Sequence, residues 1–365
     1  MVDTTPDTTP LTGQGHGGGP APQAMAGMQR LMDHFAGYFA VSVLGLGHRS
    51  GLLAALLEGG GTAEQIAARA GAHDRSAEEW LAALTAAGYV RHDQGSFSLV
   101  EGQDAVFRPG LLPFDVTVFL EFQEKFGGMI GQVATAMREG TGVPYSAYQP
   151  EFGRLQDRLN GPLYEQFLIS DFVASAQGLV GRLEAGVDVA DVGCGGGQAL
   201  CLLAASFPAS RFVGYDIDEG ALSIAAARAA ERGLGNVGLE NRDAARLELD
   251  GVLDVVIAVD AIHDQGAPDE VLAAIARALR PGGVLLMVEP LASGELDVDA
   301  ARPTALMGFA TSLSHCVQVS LAAGGPGLGA MWGKSRALPM LRAAGFRTVT
   351  THESPADYLV YAAYV

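Results

Sequence analysis

Residues 187–200 read VDVADVGCGGGQAL, an apolar run ending in an aspartate, then alternating glycines, then an apolar stretch. Val187 to Val192 has the character of a buried strand, and the stretch from Gln198 has the character of a helix. A strand that turns sharply into a helix needs left-handed backbone positions. A ligand lying against that turn leaves no room for a Cβ, so Gly193, Gly195 and Gly197 are the residues such a turn requires. The loop alone serves nicotinamide, flavin or a purely structural turn equally well. It predicts a nucleotide-type strand–turn–helix with Asp191 at its edge, without choosing a cofactor.

The residues that follow narrow the choice. RFVGYDID ends a second strand at Asp216, 25 residues after Asp191, where a carboxylate can accept both ribose hydroxyls and reject a 2′-phosphate. ENRDAARLEL follows a short third strand, LDVVIAVDAIHD forms a fourth, and LRPGGVLLMVEP reads as a helix end, a turn and a fifth strand. In this order the motifs resemble the class I S-adenosylmethionine (SAM) methyltransferases from about residue 160 to the C-terminus. The resemblance implies an α/β, Rossmann-like sheet over 183–365. It places Asp191 and the three glycines against the methionine part of SAM and Asp216 with Ile217 at the ribose. Asp243 and Ala244 meet the adenine, and Asp260 completes the cofactor contacts.

Composition bounds the rest. At 365 residues and 48% hydrophobic content the chain can bury two cores. Apolar stretches such as VLLMVEPLA are interrupted well before the roughly 20 residues a bilayer demands, so no membrane partner is expected. The first 24 residues are rich in Thr, Pro and Gly without basic and apolar signal regions, and read as a disordered leader of a cytoplasmic protein. Cys194, Cys201 and Cys316 are expected as reduced thiols.

Residues 25–110 read as a winged-helix domain, with helices in GLLAALLEG, GTAEQIAARAG and SAEEWLAALTAAGYV and a strand pair around RHDQGSFSLV. Such folds often enter the DNA major groove. Here the net charge is −18, residues 50–100 hold six acids against three arginines, and the third helix opens with Glu78 and Glu79. Phosphates would be repelled. A dimerising, pocket-closing role and a homodimer are expected instead, with no nucleic-acid partner. Residues 111–182 read as a helical linker covering the pocket, rich in aromatic rings from Phe114 to Phe172, most of them core and a minority lining the acceptor site.

Chemistry is expected after the fourth strand, where ligands lie outside the carboxyl ends of an open α/β sheet. The chain there reads Asp260, Ala261, Ile262, His263, Asp264, Gln265. The His-Asp pair is similar to that of small-molecule O-methyltransferases with a winged N-terminal domain, in which the histidine is the general base; Gln265 departs from their tryptophan. In that reading His263 takes the proton from a hydroxyl attacking the sulfonium methyl.

A second histidine, His315 in TSLSHCVQVS, opens another reading: His263, Asp264 and His315 have the donor types of a facial triad on iron, zinc, nickel or manganese. The arrangement resembles the actinobacterial α-keto acid C-methyltransferases of the phenylpyruvate-methylating type. That resemblance implies a 2-oxo acid chelated by the metal and methylated at its β-carbon through an enolate. C-methylation of a 2-oxo acid is the preferred expectation, metal-free O- or N-methylation the alternative, and a SAM-binding protein that does not methylate the third. A 2-oxo acid also requires a cation for its carboxylate, for which Arg138, Arg154 and Arg158 are candidates. Asp264 could instead cap the helix near Pro268, and Trp332 could wall the pocket or pack the following helix.

Overall fold

The computed structural model describes residues 22–108 and 115–365; the expected leader up to residue 21 and Phe114 lie outside them. The described chain forms two compact units, one ending at Leu56 and resuming over Gly60–Ser98, the other comprising Leu57–Gly59 and Leu99–Val365.

The smaller unit is helical with a hairpin: α1 (Pro22–Ser50), α2 (Leu52–Glu58), α3 (Ala63–Ala70) and α4 (Asp74–Ala86) precede β1 (Val90–Asp93) and β2 (Ser96–Leu99). Residues 22–24, placed in the leader on composition, are already helical, with Pro22 at the first position, where a missing N–H costs nothing. Helix α3 starts on a capping box: Thr62 accepts from the Gln65 amide and Gln65 reaches back to Thr62. α1 meets α4 at Gly47, where a Cβ would stand 2.3 Å from the Trp80 ring, and the Trp80 indole donates to Val43 O at 2.8 Å.

The larger unit begins with α5 (Gln103–Phe107), α6 (Thr117–Glu139) and α7 (Glu151–Phe167). Seven strands follow: β3 (Asp188–Val192), β4 (Arg211–Asp216), β5 (Val237–Asn241), β6 (Leu253–Val259), β7 (Leu279–Pro290), β8 (Thr348–Glu353) and β9 (Tyr358–Tyr364). They lie in the order β5-β4-β3-β6-β7-β9-β8. All neighbours are parallel except β9, which runs antiparallel to both β7 and β8. Inner strands such as Val255–Ala258 are buried on both faces, which is why they read as unbroken apolar runs rather than alternating ones. Strand order reverses between β3 and β6, and this switch opens a crevice at their carboxyl ends.

One segment with no parallel in the sheet bears on the site. Between β7 and β8 the chain inserts helices whose central turn, Ser312–Cys316, is a π-helix. A π-turn rotates its residues off the α-helical period. Here it lets consecutive residues, His315 and Cys316, both be buried, at 1% and 5% exposure.

Candidate active site

The glycine loop behaves as the steric argument demands. Gly193, Gly195 and Gly197 have φ of 70°, 50° and 71°. A Cβ on Gly193 would come within 2.8 Å of the Ala261 side chain, and one on Gly197 within 2.7 Å of Ala225. The Gly195 amide donates to Asp216 Oδ2 at 2.8 Å, joining the end of β4 to the loop. Asp191 closes β3 almost fully buried; burial, reinforced by the Asp216 charge, pushes its carboxyl up to about 7. Asp260 follows β6 in the left-handed region, φ 57°, and burial raises it to about 6. Both carboxylates hold protons more readily than an exposed aspartate, and a nearby cation would favour their charged forms.

A cavity of about 860 Å³ opens over these groups, lined by Asp191, Gly193, Gly195, Asp216, Ile217 and Asp260 on the sheet side. From the helical side Tyr145, Gln149, Asp157, Asn160 and Tyr164 close it, so α7 and the segment before it are part of the wall. Arg228 ties the two sides together, donating to Gly196 O and to Asp157 at 3.0 Å. Asp243 and Ala244 stand just after β5 but outside that wall; the Asp243 carboxylate turns onto its own chain and accepts from the Ala245 amide at 2.9 Å.

His263 lies behind the cavity rather than on it, 2% exposed. Its Nδ1 donates to Glu289 Oε2, the same oxygen that receives the Trp332 indole N–H at 3.2 Å, while Glu289 Oε1 accepts from the Ile262 amide at 3.1 Å. The partner fixes the ring's orientation and leaves Nε2 toward Asp264. Nε2 lies 3.3 Å from Asp264 Oδ1, and the Cys316 thiol bonds the same ring. Burial pulls the His263 pKa down, but Glu289 and then Asp264 outweigh it, and the ring titrates well above an ordinary histidine.

Asp264 lines the cavity, and its Oδ1 has no hydrogen-bond partner. It does not cap the helix Pro268–Ala278, whose N-cap position is Ala267. His315 stacks on Phe152 at 3.9 Å and meets the Tyr148 ring edge-on at 4.7 Å; burial lowers it to about 4, so it is neutral. Its Nδ1 is 3.7 Å from Asp264 Oδ2, and its Nε2 is unpartnered. Two of the three expected ligands, His263 and His315, therefore flank the third, Asp264. Among the described residues, however, the donor atoms within 4.8 Å of one another at this point belong to His263, Asp264 and Cys316, not His315.

Three partners escaped the sequence reading. Glu289 is a carboxylate in the otherwise apolar VLLMVEP, 1% exposed, and an acid ending such a strand was the signal available. Trp332 proves to be its hydrogen-bond partner instead of a pocket wall. Cys316, read only as a reduced thiol, sits on the His263 ring. Of the arginines offered for a 2-oxo acid, Arg158 is held by Asp115 and Glu121, Arg138 bonds Thr135 and Arg154 is exposed; none lines the cavity.

Residues 183–345 match the family described as "Methyltransferase domain". These residues are similar to methyltransferase domains. Ahead of the methyltransferase domain, residues 39–106 match the family described as "Rv2258c-like winged HTH domain". Among curated proteins the chain is 38% identical over 141 residues to Nocamycin O-methyltransferase of Saccharothrix syringae, a match covering 37% of this chain and 49% of that protein. The chain thus spans about half the length of that relative.

The fold is shared more widely. A putative O-methyltransferase from Nostoc punctiforme superposes with a TM-score of 0.70 at 18% identity, covering 95% of this chain and 100% of that one. The mitomycin 7-O-methyltransferase gives 0.70 at 18%, covering 94% and 99%. Human N-acetylserotonin methyltransferase, solved with SAM, gives 0.60 at 19%, covering 95% and 99%. A winged-helix domain followed by a methyltransferase domain with a Rossmann-like sheet is therefore the architecture of this chain.

Proposed function

We propose that this protein methylates a hydroxyl oxygen of a small natural product, with SAM as donor and His263 as the group that takes the proton. The His263–Glu289 pair behind the methyl-donor crevice carries this reading. The O-methyltransferase names of its relatives favour oxygen over carbon.

Asp191 and Asp260 would meet the ammonium of SAM and Asp216 with Ile217 its ribose, while Asp243 and Ala244, offered for its adenine, stand outside the cavity wall. The acceptor enters from the side of Tyr145, Gln149 and Asp264. Glu289 keeps one proton on Nδ1; a bound sulfonium charge opposes the two carboxylates that favour the cationic ring, and in the neutral ring so obtained Nε2 is the acceptor atom. As the oxygen attacks the methyl carbon, the S–C bond breaks, the thioether leaves neutral and the hydroxyl proton passes to Nε2. A homodimer completes the reading, supported by α1, which leaves Met28, Leu31, Phe35 and Phe39 exposed.

The test is incubation with methyl-labelled SAM and a panel of hydroxylated aromatics, with His263→Ala alongside. Label on oxygen with wild type and none with the variant is expected; label on carbon, or undiminished transfer by the variant, sinks the reading.

A second reading, metal-assisted C-methylation of a 2-oxo acid, draws on the donor atoms gathered at His263 and Asp264 with Cys316 or His315. A divalent ion held there would act as a Lewis acid toward the enolate. Near-stoichiometric metal in purified protein, lost in His315→Ala or Cys316→Ser, would favour it over O-methylation.

A further inference from the structure

Beside the glycine loop, three neutral side chains meet the cavity: Asn160 and Tyr164 from α7, and Gln198 from the first position of the helix Gln198–Ser206. Asn160 and Tyr164 are each 8% exposed, and a spacing of four places them on one face of α7. Gln198 reaches them because α7 carries Gly161 at that point, where a Cβ would stand 2.4 Å from Gln198 Nε2. The helix Gln198–Ser206 starts after Gly197 with no side chain capping its first amides, and both Gln198 and Ala199 line the cavity.

The polarity of this group is set from behind. The Tyr358 hydroxyl donates to Asn160 Oδ1 at 3.5 Å, which leaves Nδ2 to bond the Tyr164 oxygen. Burial, then the Asp260 and Asp191 charges, holds the Tyr164 phenol well above an ordinary tyrosine, so it remains an O–H. Its oxygen is met by Asn160, and its proton has no acceptor among the described residues. A phenolic O–H, a side-chain amide and the open start of a helix are all donors, and together they suit an anionic oxygen. Among the described residues no lysine or arginine lines the cavity to compete for that anion. Asp191 and Asp260 stand on the same part of the wall and suit a cation. Donors beside acids are the complement of an α-amino acid, whose carboxylate and ammonium share one carbon.

We propose that Tyr164 and Gln198 seat the α-carboxylate at the methionine end of SAM, with Asn160 as the positioning residue that orients the phenol. This rests on the SAM reading and names the part of that cofactor which neutral donors hold in place of a guanidinium. The Tyr164 O–H and the Gln198 amide N–H donate to the carboxylate, and the first amides of the helix Gln198–Ser206 add their partial positive charge. With carboxylate and ammonium both held, the amino-acid end cannot swing, and the sulfonium is presented in one orientation.

The test is calorimetry on the full-length protein at pH 8, where Asp191 and Asp260, raised to about 7 and about 6, are charged. The two ligands are S-adenosylhomocysteine and its decarboxylated analogue, which keeps the ammonium and lacks the carboxylate. Wild type should bind S-adenosylhomocysteine at least about tenfold more tightly, a factor that corresponds to about 1.4 kcal/mol. Tyr164→Phe should cut the ratio to about threefold or less by weakening S-adenosylhomocysteine alone. Unchanged affinity for the analogue then shows that the variant folds. If Tyr164→Phe binds neither ligand, Gln198→Ala decides by the same ratio.

A wild-type ratio below about threefold overturns the proposal, and so does a wild-type ratio that survives in the deciding variant because both ligands weaken equally or neither does. The reading beneath it fails differently. A wild type that binds neither ligand sinks SAM binding and the carboxylate seat together, whereas one that binds both equally sinks the seat and leaves SAM binding standing.

Discussion

Glu289 illustrates how one side chain can set the chemistry of another. Its two oxygens receive His263 Nδ1, the Trp332 indole and the Ile262 amide, so its charge is fully used inside the protein and its effect is delivered through the imidazole. Glu289→Gln keeps the shape and removes the charge. It is expected to lower kcat by about 10²-fold, within the usual range for losing an effective general base, with KM and S-adenosylhomocysteine affinity little changed. Because Glu289 is the larger of the influences raising His263, the rising limb of the activity–pH profile should move to lower pH in the variant. A profile that keeps its wild-type position would show that Glu289 does not tune the base.

Asp191 makes a second prediction at the same scale. Its carboxyl is raised to about 7 in the folded protein, so in the free site it carries a proton at mildly acid pH. The SAM ammonium favours the charged form, and binding must therefore expel that proton. Affinity for S-adenosylhomocysteine should rise as pH increases from about 6 to 8, and calorimetry near pH 7 in buffers of different ionisation enthalpy should register proton release. Asp191→Asn should weaken both, leaving the smaller part due to Asp260; a pH-independent affinity in wild type would contradict the assignment.

Among the elements, the contact between the end of α6 and the inserted helix Val317–Ala322 decides whether the acceptor wall stands. Gly142 has φ 69°, and a Cβ there would lie 2.3 Å from Gln318 O and 2.4 Å from Ala322 N, both backbone atoms that cannot swing aside. The neighbouring Val143 amide donates to Gln318 O at 3.1 Å. Gly142→Ala combines left-handed strain with a backbone clash and should cost at least about 2 kcal/mol in urea unfolding. Since Val319, Ala322 and Ala323 line the cavity, acceptor binding should weaken with it. Gly235→Ala, where φ is not in the left-handed region and a Cβ meets nothing within 4 Å, is the control and should be nearly silent.

For the molecule as a whole, the buried neutral His315 sets an acid limit. Its pKa is depressed to about 4, below the value near 6.5 it regains on unfolding. The unfolded chain thus binds the proton more readily, so the contribution is complete above about pH 6.5 and is lost as pH falls toward 4. Wild type should lose up to about 3 kcal/mol across that window from this group, and His315→Phe, facing Phe152 and Tyr148, should flatten the loss. Parallel slopes for the two proteins in denaturation at pH 7 and 4.5 would assign the acid sensitivity elsewhere.

Local patterns reached the sheet and its cofactor loop because each is a short-range property. Apolar runs of strand length, glycines at turn positions and an acid at a strand end state their roles within a few residues of themselves, so VDVADVGCGGG, RFVGYDID and LDVVIAVDAIHD could be read in place. The same reading put His263, Asp264 and His315 together across a separation of 52 residues from His263 to His315, but it could not say which atom of each faces which. That was decided by packing: the π-turn that buries His315 and Cys316 side by side, the strand pairing that brings Glu289 of β7 beside β6, and the insertion that delivers Trp332 to the same carboxylate. The residue types written in the chain name the available chemistry. Only the fold determines which carboxylate has both oxygens hydrogen-bonded within the protein, as Glu289 does, and which keeps an oxygen without a hydrogen bond, as Asp264 does, because satisfaction depends on contacts between residues far apart in the chain.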